Sequence, residues 1–186
     1  EIVGQASGAS FAGSGRLIVA NGENAWARLT MTDLASATVN NRCLIANGAG
    51  SSGFLLLSDN AKVEVTNANG DGVCIGSASS TEAVLSVSDE AVVRAPKVVS
   101  VANETAGFVR SELILDGGTV ETAQISGAGA LTITVSGGVF RASGDSTVAA
   151  PFCSGFKAFS VADGASIVID TQGYDVYVNQ DFGEGV

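Results

Sequence analysis

Apolar and polar residues alternate with a period of two along most of the chain, in short bursts that come in pairs. Leu29-Thr-Met-Thr-Asp33-Leu-Ala-Ser-Ala-Thr-Val39 carries apolar side chains at every second position on both sides of a central Asp-x-Ala. The frame recurs from Leu55 to Val65 around Asp59, from Leu85 to Ala95 around Asp89, and from Phe159 to Ile169 around Asp163. A shorter form with a double glycine runs from Leu113 to Val120 and from Ile133 to Phe140. Alternation of this kind marks a strand with one buried face, and Asp-x-Ala or Gly-Gly between two such runs is turn chemistry.

The six copies are anchored at Asp33, Asp59, Asp89, Asp116, Ser136 and Asp163, with steps of 26, 30, 27, 20 and 27 residues. A second module precedes several of them: Val19-Ala-Asn21, Ile45-Ala-Asn47 and Ile75-Gly-Ser77, with Val101-Ala-Asn103 as a looser fourth. Three short strands for each repeat of about 26 residues, without helical patterning, predict a β-solenoid whose coils stack about 4.8 Å apart. The expected fold is all-β: a single-stranded parallel β-helix of about six coils with three short strands per coil. In such a stack Leu29, Leu55 and Leu85 form one interior column, and Met31, Leu57, Val87, Leu115, Val135 and Val161 form a second.

Composition adds mechanics to this picture. Twenty-four Gly against two Pro fit a chain that turns a corner several times per coil, because glycine adopts positive φ at no steric cost. The variable corners Gly48–Gly53 and Ser77–Glu82 fall on the same side of successive coils, where a solenoid carries ligand-facing decoration. No apolar run approaches the roughly 20 residues of a membrane-spanning helix, so no transmembrane segment is expected. A net charge of -10 with scattered Arg16, Arg28, Arg42, Arg94, Arg110 and Arg141 argues against a nucleic-acid partner. The absence of His removes the commonest general base and metal ligand.

Candidate chemistry is sparse. Asp33, Asp59, Asp89 and Asp163 stack on one edge, either as a ladder that recruits a cation or as turn formers that accept a backbone hydrogen bond two residues ahead. The small Ala or Gly that follows favours the turn. Asn67-Ala-Asn-Gly-Asp-Gly72 resembles the front of a calcium loop but has Ala78 where a bidentate Glu is needed, and reads as a solenoid corner. No cofactor is expected. Trp26, Phe54 and Phe108 occupy comparable corner positions before their strands and are either a strip for sugar stacking or packing under a loop. No catalytic residue is assigned: Asp89, Arg94 and Lys97 are the nearest thing to a lyase set, and nothing from neighbouring coils converges on them. Asn103-Glu-Thr105 fits a glycosylation sequon. Cys43, Cys74 and Cys153 form no CxxC pair, lie in apolar stretches and are expected to be buried free thiols.

Ile45-Ala-Asn-Gly-Ala-Gly-Ser-Ser-Gly53 leading into Leu55-Leu-Leu-Ser-Asp59, the segment Leu113–Val120 and the tail Ile167–Val178 together resemble the passenger regions of bacterial autotransporters and autotransporter-associated β-strand repeat proteins. The resemblance covers most of residues 17–182. It implies a right-handed coil, export to the bacterial cell surface, and a non-enzymatic stalk or adhesin role toward a host or cell-surface glycan or protein. The three cysteines depart from that family's habit. A carbohydrate-binding or carbohydrate-active β-helix is the alternative. The chain reads as one solenoid segment, residues 1–186, cut from a longer protein, with residues 1–16 as a cap or a lead-in. Strand edges at its two ends make end-to-end self-association an expected behaviour.

Overall fold

A computed structural model describes residues 2–7, 10–67, 72–77, 80, 82–102 and 110–182, the first six as backbone. The described residues contain strands and turns but no helix. The first coil is β1 (Ile2–Ser7), β2 (Ser10–Gly13) and β3 (Leu17–Asn21). The second is β4 (Trp26–Thr32), β5 (Ser36–Val39) and β6 (Cys43–Asn47), and the third is β7 (Ser52–Leu57), β8 (Lys62–Val65) and β9 (Val73–Ile75). The fourth is β10 (Glu82–Ser88), β11 (Val92–Arg94) and β12 (Val98–Val99). In the fifth, β13 (Arg110–Thr122) serves two faces before β14 (Ile125–Ser126), and in the sixth β15 (Leu131–Ala142) does the same before β16 (Cys153–Ser154). The last coil is β17 (Ala158–Val161), β18 (Val168–Asp170) and β19 (Val178–Asn179).

Every strand pairs in parallel with its counterpart one coil away, which makes the molecule a β-solenoid of about six turns. The third face is a sheet of seven strands; the first two faces join into one sheet of twelve because β13 and β15 pass unbroken through the corner between them. That corner holds Gly117-Gly118 and Gly137-Gly138 where other coils have Asp-x-Ala. Gly138 has φ +109°, and a Cβ there would sit 2.5 Å from the Gly118 carbonyl oxygen directly beneath. A bare backbone lets the shortened corner stack, at the cost of the register irregularity seen between Leu115 and Thr119.

The interior is built of stacked like residues. On the first face Leu29, Leu55, Leu85, Leu113, Ile133 and Phe159 stand in one column, and Met31, Leu57, Val87, Leu115, Val135 and Val161 in the next. The register thus reproduces both expected columns and extends the first by three residues. The second face contributes Ala37, Val63, Val93, Val120, Phe140 and Ile169. The third face contributes Leu17, Cys43, Val73, Val98, Ile125, Cys153 and Val178.

Two parts of the repeat fall differently from the sequence expectation. Val98 lies opposite Val73 and Val99 opposite Cys74, so the counterpart of Ile75-Gly-Ser77 in the fourth coil is Ser100-Val101-Ala102, one residue earlier than Val101-Ala-Asn103. Val101 is consequently half exposed, and Ser100 takes the place of an interior Ile. The buried Ser100 hydroxyl is satisfied by Ser111 Oγ at 2.9 Å, which itself donates to the Ile75 carbonyl at 2.7 Å. At the other end, Gly4 stands opposite Leu29 and Ala6 opposite Met31, so β1 and β2 form a further rung in front of the six copies.

Leu85 is fully buried in the middle of its column, and truncation to Ala should cost about 2–5 kcal/mol through lost burial and the cavity left behind. Leu34, 73% exposed, should change stability by less than about 0.5 kcal/mol when treated the same way. Denaturant unfolding of the two variants checks the pair. Gly138→Ala should lose about 1–3 kcal/mol by placing a side chain at a strained φ against a fixed carbonyl, whereas Gly15→Ala, where a Cβ meets nothing within 4 Å, should be tolerated.

Candidate functional site

The first corner carries the acidic ladder. Ala35, Ala61 and Ala91 close the turns by donating their N–H to the carbonyls of Thr32, Ser58 and Ser88, at 3.0, 3.1 and 3.0 Å. All three Ala methyls are fully buried inside the corner, which explains why a small residue follows each Asp. Asp33, Asp59 and Asp89 occupy the left-handed region, with φ of 55°, 56° and 56°, a conformation Asp tolerates better than most residues. Their carboxylates bind between coils rather than only within the turn: Asp59 Oδ2 accepts the Asp33 N–H at 3.3 Å, and Asp89 Oδ2 accepts the Asp59 N–H at 3.4 Å. The hydroxyls of Ser58 and Ser88 add a donor each, at 3.2 and 3.1 Å.

Asp163 stands apart from this ladder, because the coils between it and Asp89 carry the double-glycine corner. In its turn, closed by Ala165 N–H to the Ala162 carbonyl, Gly164 takes the positive φ. Among the described residues no group of three or more Cys, Asp or Glu is placed to hold a metal ion. Of the calcium-like segment 67–72, residues 68–71 lie outside the described residues, as does the sequon at 103–105.

The outward side of the second face holds a feature the sequence analysis passed over. Glu64, Arg94, Glu121, Arg141 and Asp170 lie opposite one another on consecutive coils, so their charges alternate along the stack. Arg94 reaches Glu121 at 2.8 Å and Glu64 at 3.7 Å; Arg141 reaches Asp170 at 3.0 Å and Glu121 at 3.9 Å. Lys62 closes the end of the run on Glu64 at 2.8 Å. The hydrogen bond from Lys62, followed by the charges of Lys62 and Arg94, holds the Glu64 carboxyl below its ordinary range against the opposing effect of burial. Asp170 is lowered as well, first by the Gln172 side chain and backbone and then by Arg141. Arg94 and Asp89 therefore have separate partners, and the lyase-like set with Lys97 is not assembled by these contacts.

Trp26 and Phe54 lie on strands β4 and β7 rather than in the corners before them. Within β4, Ala27, Leu29 and Met31 point inward, so Trp26, Arg28 and Thr30 point out; within β7 the outward residues are Ser52, Phe54 and Leu56. Trp26 faces Ser52 and Arg28 faces Phe54, which sets Trp26 diagonal to Phe54 with ring centres 5.6 Å apart and planes inclined at 43°. Together with Leu56, Val84 and Arg110 they line an open concavity of about 340 Å³ on the first face. Phe108 lies outside the described residues. Arg110 is engaged at the rim by Glu82, at 3.0 Å, and by a close contact with Glu112.

The three cysteines are buried as thiols and not joined in disulfides. Cys43 and Cys153 stand in the same interior column as Val73, Val98 and Ile125, in the manner of small hydrophobes. Burial pushes the Cys43 thiol up to about 12, with Cys74 adding to the effect, and burial alone pushes Cys153 up to about 12. Such thiols are not nucleophiles at neutral pH. Among the described residues no helix is long and apolar enough to cross a membrane. No family model, curated protein or solved structure matches the chain.

A carboxyl whose folded pKa is depressed stabilises the fold above its ordinary unfolded value, and that contribution is lost as pH falls through the folded value. Glu64→Gln should therefore lower the melting temperature at pH 7, and its gap to the parent should close as pH falls below about 4.5, the ordinary Glu value. Melting curves from pH 7 to pH 2.5 check this; a gap independent of pH would remove the ion pair as its cause.

Proposed function

We propose that this chain is a non-enzymatic length of an exported bacterial surface protein, in which the solenoid acts as a stiff stalk and its outward faces provide adhesive contact. The observation that carries the proposal is the stack itself: parallel pairing runs from the first coil to the last on all three faces. Such a body extends by adding coils, about 4.8 Å each, without needing a new core, which is the mechanical requirement of a stalk. Its side chains serve the same end. The acidic corner and the alternating charges of the second face tie coil to coil, so the polar groups that elsewhere assemble into active sites are here engaged in stacking.

A non-catalytic reading is further supported by the absence of His and by thiols held far above neutral pH. The resemblance of Ile45–Asp59, Leu113–Val120 and Ile167–Val178 to autotransporter passengers supports the cell-surface setting.

Antibodies raised against the folded chain should label intact cells of the producing bacterium, and brief protease treatment of whole cells should remove the label. Labelling that appears only after permeabilisation would overturn the surface assignment. Deletion of the region from its gene should reduce attachment of the cells to a host or abiotic surface, and unchanged attachment would overturn the adhesive part.

A further inference from the structure

The concavity on the first face differs from the rest of the outer surface in three respects that together describe a ligand. Its floor is apolar and outward-facing: Trp26, Phe54, Leu56 and Val84 project from adjacent coils where the second face projects charges. Trp26 remains 38% exposed although it touches Phe54, and the two rings, inclined at 43°, form an open V rather than a closed stack. One cation in it is not neutralised by a neighbouring carboxylate among the described residues. In a protein of net charge -10 the concavity is lined by Arg28 and Arg110, and among the described residues no ion pair takes up Arg28. Arg28 therefore faces solvent as a cation beside two aromatic rings.

Amphipathic rings at an open surface suit the apolar face of a pyranose, whose hydroxyls remain in water while its C–H groups lie on the aromatic carbon. A guanidinium beside such rings suits a carboxylate, which it binds in a bidentate geometry. From these features we infer that the first face of coils two to five binds an acidic oligosaccharide: one sugar packs against Trp26 and Phe54, and a uronic-acid-type carboxylate pairs with Arg28. Arg110, held by Glu82 and Glu112, forms a neutralised far rim and marks the end of the groove. Three coil intervals at about 4.8 Å give a length of about 14 Å, which accommodates a short oligosaccharide lying along the stack. The inference deepens the adhesive part of the proposed function by naming the class of partner. Binding by the isolated chain is measured without reference to where the protein resides, so the failure of either idea is visible separately.

Trp26 is the only tryptophan, so its emission reports on this site alone. The probes are α-1,4-trigalacturonate and the neutral α-1,4-galactotriose, which differ in the carboxylate at C6. Titration of the full chain with trigalacturonate should shift Trp26 emission saturably, and galactotriose should bind at least about tenfold more weakly. Arg28→Gln should bring the two sugars to within about twofold of each other, and added salt should weaken only the acidic sugar. Phe54→Ala, read through Trp26 emission, and Trp26→Ala, read by calorimetry, should each lose at least about tenfold, with Leu34→Ala as the unaffected control. An unchanged far-UV spectrum verifies that each variant is folded. The absence of a saturable response to either sugar would overturn the site. Equal binding of both sugars by the parent, or an unchanged preference in Arg28→Gln, would overturn the pairing of carboxylate with Arg28.

Discussion

Parallel pairing of each strand with its counterpart one coil away is the constraint from which the rest of the molecule follows. It places every side chain about 4.8 Å from the residue at the same position in the next coil, so each position along the repeat becomes a column rather than a point. A column of apolar residues satisfies this easily, and the Leu and Val columns of the interior are the result. A column of polar residues must find partners along its own axis. The solutions differ by position. Asn47 donates to Asn21 Oδ1 at 2.8 Å, Asp59 and Asp89 each accept the backbone N–H of the Asp one coil before, and the second face alternates Glu with Arg. Alternation is the cheapest arrangement for ionised groups at this spacing, since like charges in adjacent coils would repel where opposite charges attract. At such exposure each pair is worth little alone; their value lies in the network and in penalising any slip of register.

The same constraint acts on the backbone at corners. A turn that stacks must repeat its dihedral angles in each coil, so a left-handed residue occurs at Asp33, Asp59 and Asp89 in register, and at Ala20, Ala46 and Gly76 on the opposite corner. Alanine with φ of 63° and 60° carries a steric penalty that its neighbours in the stack must hold in place. The double-glycine corner solves the same problem with one residue fewer and no Cβ, and the strands on either side then fuse into β13 and β15.

How much of this was readable from the sequence follows from what a column looks like in one dimension. Leu29, Leu55 and Leu85 are visible because apolar identity and spacing coincide. The first rung was not, because Gly4 and Ala6 fill the places of Leu29 and Met31 and leave no alternating signal. The fourth third-face module was misplaced for a related reason: Ser100 stands where Ile is expected, and its buried hydroxyl is met by the Ala102 N–H and by Ser111, which comes from the next coil. The charge ladder was legible in principle. Glu64, Arg94, Glu121 and Arg141 all lie five residues after their anchors, and aligning outward rather than inward positions would have shown the alternation of sign. The diagonal contact of Trp26 with Phe54 was not, since it depends on a register offset of one pair that similar-looking corners conceal.

Apolar side chains gather on two outward faces among the described residues, as a column on the third face and as a patch that crosses three columns on the first, and their contrast narrows where this surface can make contacts. On the third face Leu44, Cys74 and Val99 stack into a separate cluster and are each less than a tenth exposed, so their apolar area is already removed from water. On the first face the equivalent gain is left unrealised around Trp26, in a protein otherwise well supplied with means of closing its columns. The second face shows what this chain does with outward positions that have only to stack: it pairs charges. Stacking alone therefore explains the aromatic and aliphatic floor of the first face poorly, and it does not explain Arg28 beside it, which no ion pair among the described residues takes up. Outward positions in this chain close in two ways, by paired charges on the second face and by a covered apolar column on the third, and the exposed patch at coils two to five follows neither.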